Sequence, residues 1–258
     1  MTHVRWQHGG WEGWIDPGAA VDADACLARA AATPGRSSRH ARTVRLGTLW
    51  VKTYPAPGGW RALRAFRMGS ALDGVGLGAP AVVLAARRGD EGVLVTCDTG
   101  GEGLVEAVRR HAATPRAKRA LLAALGAEVA RLHRAGFVHG DLVPANVHLV
   151  GERFVFLDND RTRRSRLLVF VTARRNLVQL GRFVVPGLTV ADRVRVLAAY
   201  ARGRGLSRRA HRRLARWLVR KTIARRCAID RIAPETAARA GFRELMRSGG
   251  PFDPAVAR

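Results

Sequence analysis

His139-Gly140-Asp141-Leu142-Val143-Pro144-Ala145-Asn146 is followed, after a short apolar run, by Phe156-Leu157-Asp158-Asn159-Asp160. The first stretch has the spacing H-x-D-x-x-x-x-N, and the second supplies an acidic residue where a divalent cation would need one. A hydroxyl attacking the γ-phosphate of ATP needs one carboxylate near the incoming oxygen, and the phosphate charge needs Mg²⁺ held by separate oxygen ligands. Asp141 stands where the base would stand. Asn146 would turn back towards the metal, with Pro144 stiffening the loop between them. Val147 to Val150 and Phe154 to Leu157 flank Gly151-Glu152-Arg153, which reads as a hairpin that returns the chain to Asp158, a second metal and nucleotide ligand, beside Asn146. His139 reads as a supporting residue, bonded to backbone near Asp158.

An H-x-D alone recurs by chance, and a His before a Gly is commonly a turn or core residue. The joint occurrence is what decides: Asp141, Pro144 and Asn146 in one loop, a helical pattern before it, and a hairpin ending in Asp after it. That helix spans Ala117 to Ala135, with Leu121, Leu122, Leu125, Val129 and Leu132 on one face and Gly136 as terminator.

Upstream the pattern changes to strands. A short helix is expected from Asp22 to Ala32, ended by Thr33-Pro34-Gly35. His40 to Leu46 and Leu49 to Tyr54 read as a hairpin about Gly47-Thr48. Its second strand holds Lys52 among apolar neighbours, in a chain where all but three of the 45 basic residues are Arg. A retained Lys suggests a site wanting a compact ammonium, the role of a phosphate-binding strand Lys; the alternative is a snorkelling side chain with its head in water. Trp60 to Leu72 reads as a helix with Leu63, Phe66 and Leu72 inward and Arg61, Arg64 and Arg67 outward. Ala81 to Ala86 and Gly92 to Thr96 form two more strands, and Cys97-Asp98-Thr99-Gly100-Gly101 a hinge. Beyond the Asp158 segment, helices are expected over Asn176 to Phe183, Val190 to Arg202 and Ser207 to Arg226. No internal repeat is present.

This order predicts an α+β, bilobal protein-kinase-like fold: a small antiparallel-sheet N-lobe over residues 1–97, a mainly helical C-lobe over 98–258, and ATP in the cleft between them. With 258 residues, 47% of them hydrophobic, the chain can fill such a core. A formal charge of +25 should draw it to phosphorylated ligands, anionic lipid or nucleic acid, although an Arg-rich, Lys-poor composition also reflects GC-rich coding. Cys26, Cys97 and Cys227 lack metal-ligand or disulfide spacing, which fits a reducing cytosol. No signal peptide is read in the first residues, and the longest apolar run, Leu167 to Val171, is too short to span a bilayer.

Four stretches resemble the bacterial lipopolysaccharide kinases of the Kdo/heptose (InaA-like) group. Leu49-Trp50-Val51-Lys52-Thr53-Tyr54 is similar to that family's Lys-bearing strand, and Arg61 to Pro80 resembles its basic helix and G-x-x-x-P exit. Leu132 to Leu142 is similar to its entry into the catalytic loop, and Phe156-Leu157-Asp158-Asn159-Asp160-Arg161 looks like its metal segment. Asn176 to Arg182 resembles the helix that follows. The loop itself is shared with aminoglycoside phosphotransferases. Departures are the absence of G-x-G-x-x-G, with Pro34-Gly35-Arg36-Ser37-Ser38 the one candidate phosphate-covering turn, and of any Glu in the Trp60 to Leu72 helix. Asn159 replaces an aromatic residue, and Val143 a Lys.

The resemblance implies an ATP- and Mg²⁺-dependent kinase acting on a sugar hydroxyl of a lipopolysaccharide-type glycolipid. Asp141 and Asn146 would be catalytic, Lys52 and Asp158 would bind nucleotide, and Asn146 and Asp158 would hold the metal. The basic stretch Arg208 to Lys221 would dock on anionic lipid at the inner face of the cell membrane, or else form a solvated face of a cytoplasmic protein. A kinase for a soluble small molecule or a protein is the alternative. A nucleic-acid-binding protein with a relic kinase fold ranks below both, because the charge is spread along the whole chain.

Overall fold

In the computed structural model, which describes residues 3–19 and 23–256, side chains along Leu49–Tyr54 alternate between two apolar layers. Val51 enters one and Tyr54 the other. The chain divides into two compact units, Met1–Gly101 with Val155–Thr162, and Glu102–Phe154 with Arg163–Arg258. The segment carrying Asp158 and Asp160 therefore belongs with the first unit, although it follows Asp141 in sequence.

The first unit is built on an antiparallel sheet of β1 (Val4–His8), β2 (Trp11–Ile15), β3 (Arg36–Ser37), β4 (Arg42–Leu46), β5 (Leu49–Tyr54), β6 (Val82–Arg88) and β7 (Glu91–Cys97), in the order β1-β2-β6-β7-β5-β4-β3. On one face, Cys26 and Ala30 of α1 (Ala23–Ala32) pack with Val51, Val83, Leu84, Val93 and Val95. On the other, Ala62 and Ala65 of α2 (Trp60–Asp73) pack with Tyr54, Val82, Ala85 and Leu94. The expected strands and both helices are present; Asp22, the expected start of the first helix, lies outside the described residues.

The β1–β2 hairpin was not expected. Gly9 and Gly10 make its two-residue turn at φ of 55 and 79, which only glycine adopts without strain. In β2, a Cβ on Gly13 would lie 2.0 Å from the carbonyl oxygen of Ala85, so glycine is required where this strand meets β6.

The second unit is mainly helical: α3 (Leu104–Arg110), α4 (Pro115–Arg134), α5 (Arg166–Gly181), α6 (Val190–Gly203), α7 (Arg208–Asp230) and α8 (Pro234–Leu245), with short strands β8 (Glu102–Gly103), β9 (Phe137–Val138), β10 (Val147–Val150), β11 (Arg153–Phe156) and β12 (Arg163–Arg164). β10 and β11 flank Gly151, as the hairpin pattern requires, and the chain passes from the second unit to the first within β11. Leu121, Leu122, Leu125, Val129 and Leu132 are all buried on α4, and Gly136 follows its end at φ 87. Gly126 lets α6 approach α4 closely, since a Cβ there would lie 2.3 Å from the Val196 carbonyl oxygen.

α5 starts at Arg166, well before the expected Asn176, and α3 and α8 were not expected. An apolar cavity of about 150 Å³ lies within this unit, walled by Leu122, Leu125, Leu177, Leu197, Leu218 and Pro144. Among the described residues no helix is long and apolar enough to cross a membrane.

Candidate active site

Lys52 sits mid-strand on β5, on the face that α2 covers, and this fixes where its ammonium can reach. Its Nζ donates to Oδ1 of Asp158 and lies 3.6 Å from Oδ2 of Asp160. Arg61, in the first turn of α2, brings Nη1 to 3.6 Å from that same Asp160 oxygen. The Tyr54 ring lies 5.1 Å from Lys52 Nζ, close enough for a cation–π contact. The absence of a Glu in α2 is thus met by two carboxylates from the segment after β11.

That segment is held by its own side chains. Asp158 has φ 57 and ψ 58, a left-handed conformation that costs a non-glycine residue roughly 1 kcal/mol or more and tends to mark functional positions. Asn159 is buried and donates Nδ2 to the Phe156 carbonyl at 2.8 Å, while its Oδ1 accepts from the Thr162 hydroxyl at 3.1 Å. An aromatic side chain at position 159 could make neither bond. Phe156 N–H donates to the Gly78 carbonyl at 2.9 Å.

Arg64 donates Nε and Nη2 to the Thr162 carbonyl at 3.3 and 3.2 Å. Of the three arginines expected on the outer face of this helix, then, Arg67 is exposed, whereas Arg61 and Arg64 turn to the acidic segment. Helical periodicity cannot see an inward partner supplied from elsewhere in the chain. Burial raises the Asp160 pKa, and so does the neighbouring Asp158 carboxylate; Lys52, Arg61 and Arg161 act against both. Burial likewise pushes the Tyr54 hydroxyl well above its ordinary value, reinforced by Asp160 and Asp158.

In the second unit, the loop after β9 folds around Asp141. The Asp141 carbonyl accepts from Val143 N–H at 2.9 Å and from Nδ2 of Asn146 at 2.9 Å, closing the turn that Pro144 enters. The Asp141 N–H donates to Nδ1 of His139, whose side chain is fully buried. With Nδ2 turned to Asp141, the amide oxygen of Asn146 is the donor atom left for a hard cation. Among the described residues there is no group of three or more His, Cys, Asp or Glu that could hold a metal. Taken each within its own unit, Asp158 presents a carboxylate and Asn146 an amide oxygen, ligand types that suit Mg²⁺.

α5 clasps this loop through residues one helical turn apart. Asn176 Oδ1 accepts from the His139 N–H at 3.0 Å, and its Nδ2 donates to the His139 carbonyl and to Oε1 of Gln179. Gln179 in turn donates to the Gly140 carbonyl at 3.1 Å and accepts from Leu142 N–H at 3.3 Å. Behind them, Nε2 of His133 bonds to Asn176 Oδ1 and its Nδ1 to the Tyr200 hydroxyl. An amide oxygen can only accept, so His133 carries its proton on Nε2 and accepts from Tyr200. Asn176 and Gln179 were read only as part of a family-like helix. Their i, i+3 spacing was visible in the sequence, but nothing there tied them to the loop.

Residues 41–200 match the lipopolysaccharide kinase (Kdo/WaaP) family. The chain belongs to that family. The match takes in Lys52, Asp141, Asn146, Asp158 and Asp160, and the protein is a kinase with an antiparallel-sheet unit and a mainly helical one. No curated protein sequence matches it. Among solved structures, the crystal structure of aminoglycoside-3'-phosphotransferase of type VIII is similar, with a TM-score of 0.45 and 20% identity over 76% of this chain and 97% of that one.

Proposed function

We propose that this kinase transfers the γ-phosphate of ATP to a sugar hydroxyl of a lipopolysaccharide-type glycolipid, with Asp141 accepting the hydroxyl proton. The observation that carries the reading is the Lys52–Asp158 pair, which lies inside the region matching the family. An ammonium and a carboxylate set side by side, one at mid-strand and the other on a strained left-handed residue, suit a phosphate with its counter-cation. Lys52 would bind the nucleotide phosphates. Asp158 and the amide oxygen of Asn146 are the ligands assigned to Mg²⁺, which when bound neutralises phosphate charge.

Asp141 needs a fixed orientation to act as base, and its backbone, whose carbonyl accepts from Val143 and Asn146 and whose N–H donates to His139, supports that role. For the acceptor, the family points to a glycolipid, and α7 adds a charge argument. Arg208, Arg209, Arg212, Arg213, Arg216 and Arg220 are exposed along it, and the helix holds no acidic residue before Asp230. Such a row favours an anionic lipid surface or a phosphorylated sugar, which supports the reading of a peripheral protein on the inner face of the cell membrane.

The test is transfer from γ-labelled ATP with Mg²⁺ to separate acceptors: lipid A-core glycolipid, an aminoglycoside, a protein and RNA. Label is expected in the glycolipid, and Asp141→Ala should lower its rate by about 10²–10⁴-fold, the usual weight of a general base. Label only in the aminoglycoside or protein would replace the acceptor assignment. Equal rates for wild type and Asp141→Ala would remove the base.

A further inference from the structure

Many kinases orient the phosphate-binding Lys with a Glu from the adjacent helix. Here α2 holds a single acidic residue, Asp73, at its far end, and its first turn offers Arg61 instead. The helix thus carries the charge opposite to the one the Lys requires.

Asp160 completes the arrangement. Its side chain is 6% exposed, and its Oδ2 lies 3.6 Å from both Lys52 Nζ and Arg61 Nη1. A buried carboxylate beside one cation would be held in place by that cation alone; beside two, it is fixed from the strand and from the helix at once. Asp158 is the residue assigned to Mg²⁺, and an oxygen of its carboxylate that bound the cation would be shared between the cation and the ammonium, whereas Asp160 has no such second claim in the proposed assignment. Asp160 is more enclosed than Asp158, whose side chain is 38% exposed.

We propose that Asp160 is the positioning residue for Lys52, standing in for the missing helix Glu, with Arg61 as the counter-charge that locks it and couples α2 to the nucleotide site. The inference rests on the ATP reading given above. When Asp158 takes the metal, Lys52 keeps one fixed carboxylate neighbour and its ammonium stays aimed at the phosphates. The acceptor plays no part in this contact.

Asp160→Asn is isosteric and removes only the charge. It should raise KM for ATP and weaken ATP binding by about tenfold, with KM for the acceptor unchanged, the split expected when one substrate's binding contact is lost. Affinity is read by calorimetry with ATP, independently of turnover. Arg61→Gln keeps the carboxylate but unlocks it, and a rise of about threefold in KM for ATP is expected. The double variant Arg61→Glu with Asp160→Asn moves the carboxylate onto the helix, and it should recover most of the affinity lost by Asp160→Asn.

Thermal melting confirms that each variant is folded; should Asp160→Asn fail to fold, Arg61→Gln and the double variant carry the test. ATP affinities within twofold of wild type in both single variants, Asp160→Asn and Arg61→Gln, or in Arg61→Gln alone should Asp160→Asn fail to fold, overturn the inference while leaving the kinase reading intact. So does equal loss for ATP and acceptor with no recovery in the double variant. A wild-type protein that neither binds ATP nor transfers phosphate overturns the ATP reading, and the inference with it.

Discussion

His133 shows how far from the chemistry the loop is held. Its ring is buried between Asn176 and Tyr200, and burial lowers its pKa from 6.5 to about 4, with Arg204 adding to the effect and the Asn176 bond opposing it. The unfolded chain therefore takes up this proton at a higher pH than the folded protein does. The contribution of His133 to stability is constant above about pH 6.5 and falls as the pH drops towards 4, by about 3 kcal/mol at 1.36 kcal/mol per pH unit. Urea denaturation at pH 7, 5.5 and 4.5 checks this, and His133→Gln, which keeps a hydrogen-bonding amide but cannot charge, should flatten the profile. The neighbouring Asn176 has all its donors and acceptors engaged, so it holds His139 by both backbone groups. Asp141, the proposed base, could be singled out because the chemistry proposed for it dictates a spacing from Asn146. Its supports could not, because a hydrogen bond from α5 leaves no local pattern.

Packing between α4 and α6 depends on small residues at the crossing. Gly126→Ala would drive a methyl group against the Val196 carbonyl, a backbone atom that cannot rotate away, and should cost about 2 kcal/mol or more. The measurement is a shift of the urea midpoint without change of slope. α6 is fixed at its start as well: Thr189 and Asp192 form a capping box, and the buried Asp192 also takes Lys118 at 3.0 Å and Arg195 at 2.7 Å. Burial acts to raise the Asp192 pKa, but the Thr189 N–H, the Thr189 hydroxyl and Lys118 together bring it below the ordinary value. Two of the three lysines thus face carboxylates, which bears on why Lys was kept in a chain that otherwise uses Arg. α4 could be read from periodicity because its buried face is uniformly apolar, and β5 because a β-prone run follows the Gly47-Thr48 turn. The β1–β2 hairpin was hidden by Gly13 and by polar residues between its tryptophans, and α8 by Gly241, whose φ of 70 breaks the helical pattern. Arg61 and Arg64 were misplaced for a related reason: charge in a helix pattern reads as solvent-facing unless its partner is known.

At the scale of the molecule, the charge of +25 is not all an external field. Arg193 is half-buried and donates to the Gly181 and Phe183 carbonyls at 2.5 Å each, and desolvation lowers its pKa to about 10. Arg226, which is buried, pairs with Asp230 at 2.6 Å and reaches the Leu245 and Phe252 carbonyls. Such arginines join helix ends to following segments, so the composition serves folding as well as any anionic partner. The helical unit holds an apolar cavity of about 150 Å³. Hydrostatic pressure favours whichever state has the smaller volume, and unfolding eliminates the empty space walled by Leu122, Leu125, Leu177 and Leu218. The helical unit should yield first under compression. Trp217 is its single tryptophan, while Trp6, Trp11, Trp14, Trp50 and Trp60 all lie in the sheet unit, so fluorescence of Trp217→Phe against wild type separates the two responses. If both units change at one pressure, the cavity does not set the volume of unfolding. If Trp217 moves first, a few hundred megapascals of compression becomes a means of loosening the helices around Pro144 while the sheet that carries Lys52 stays folded.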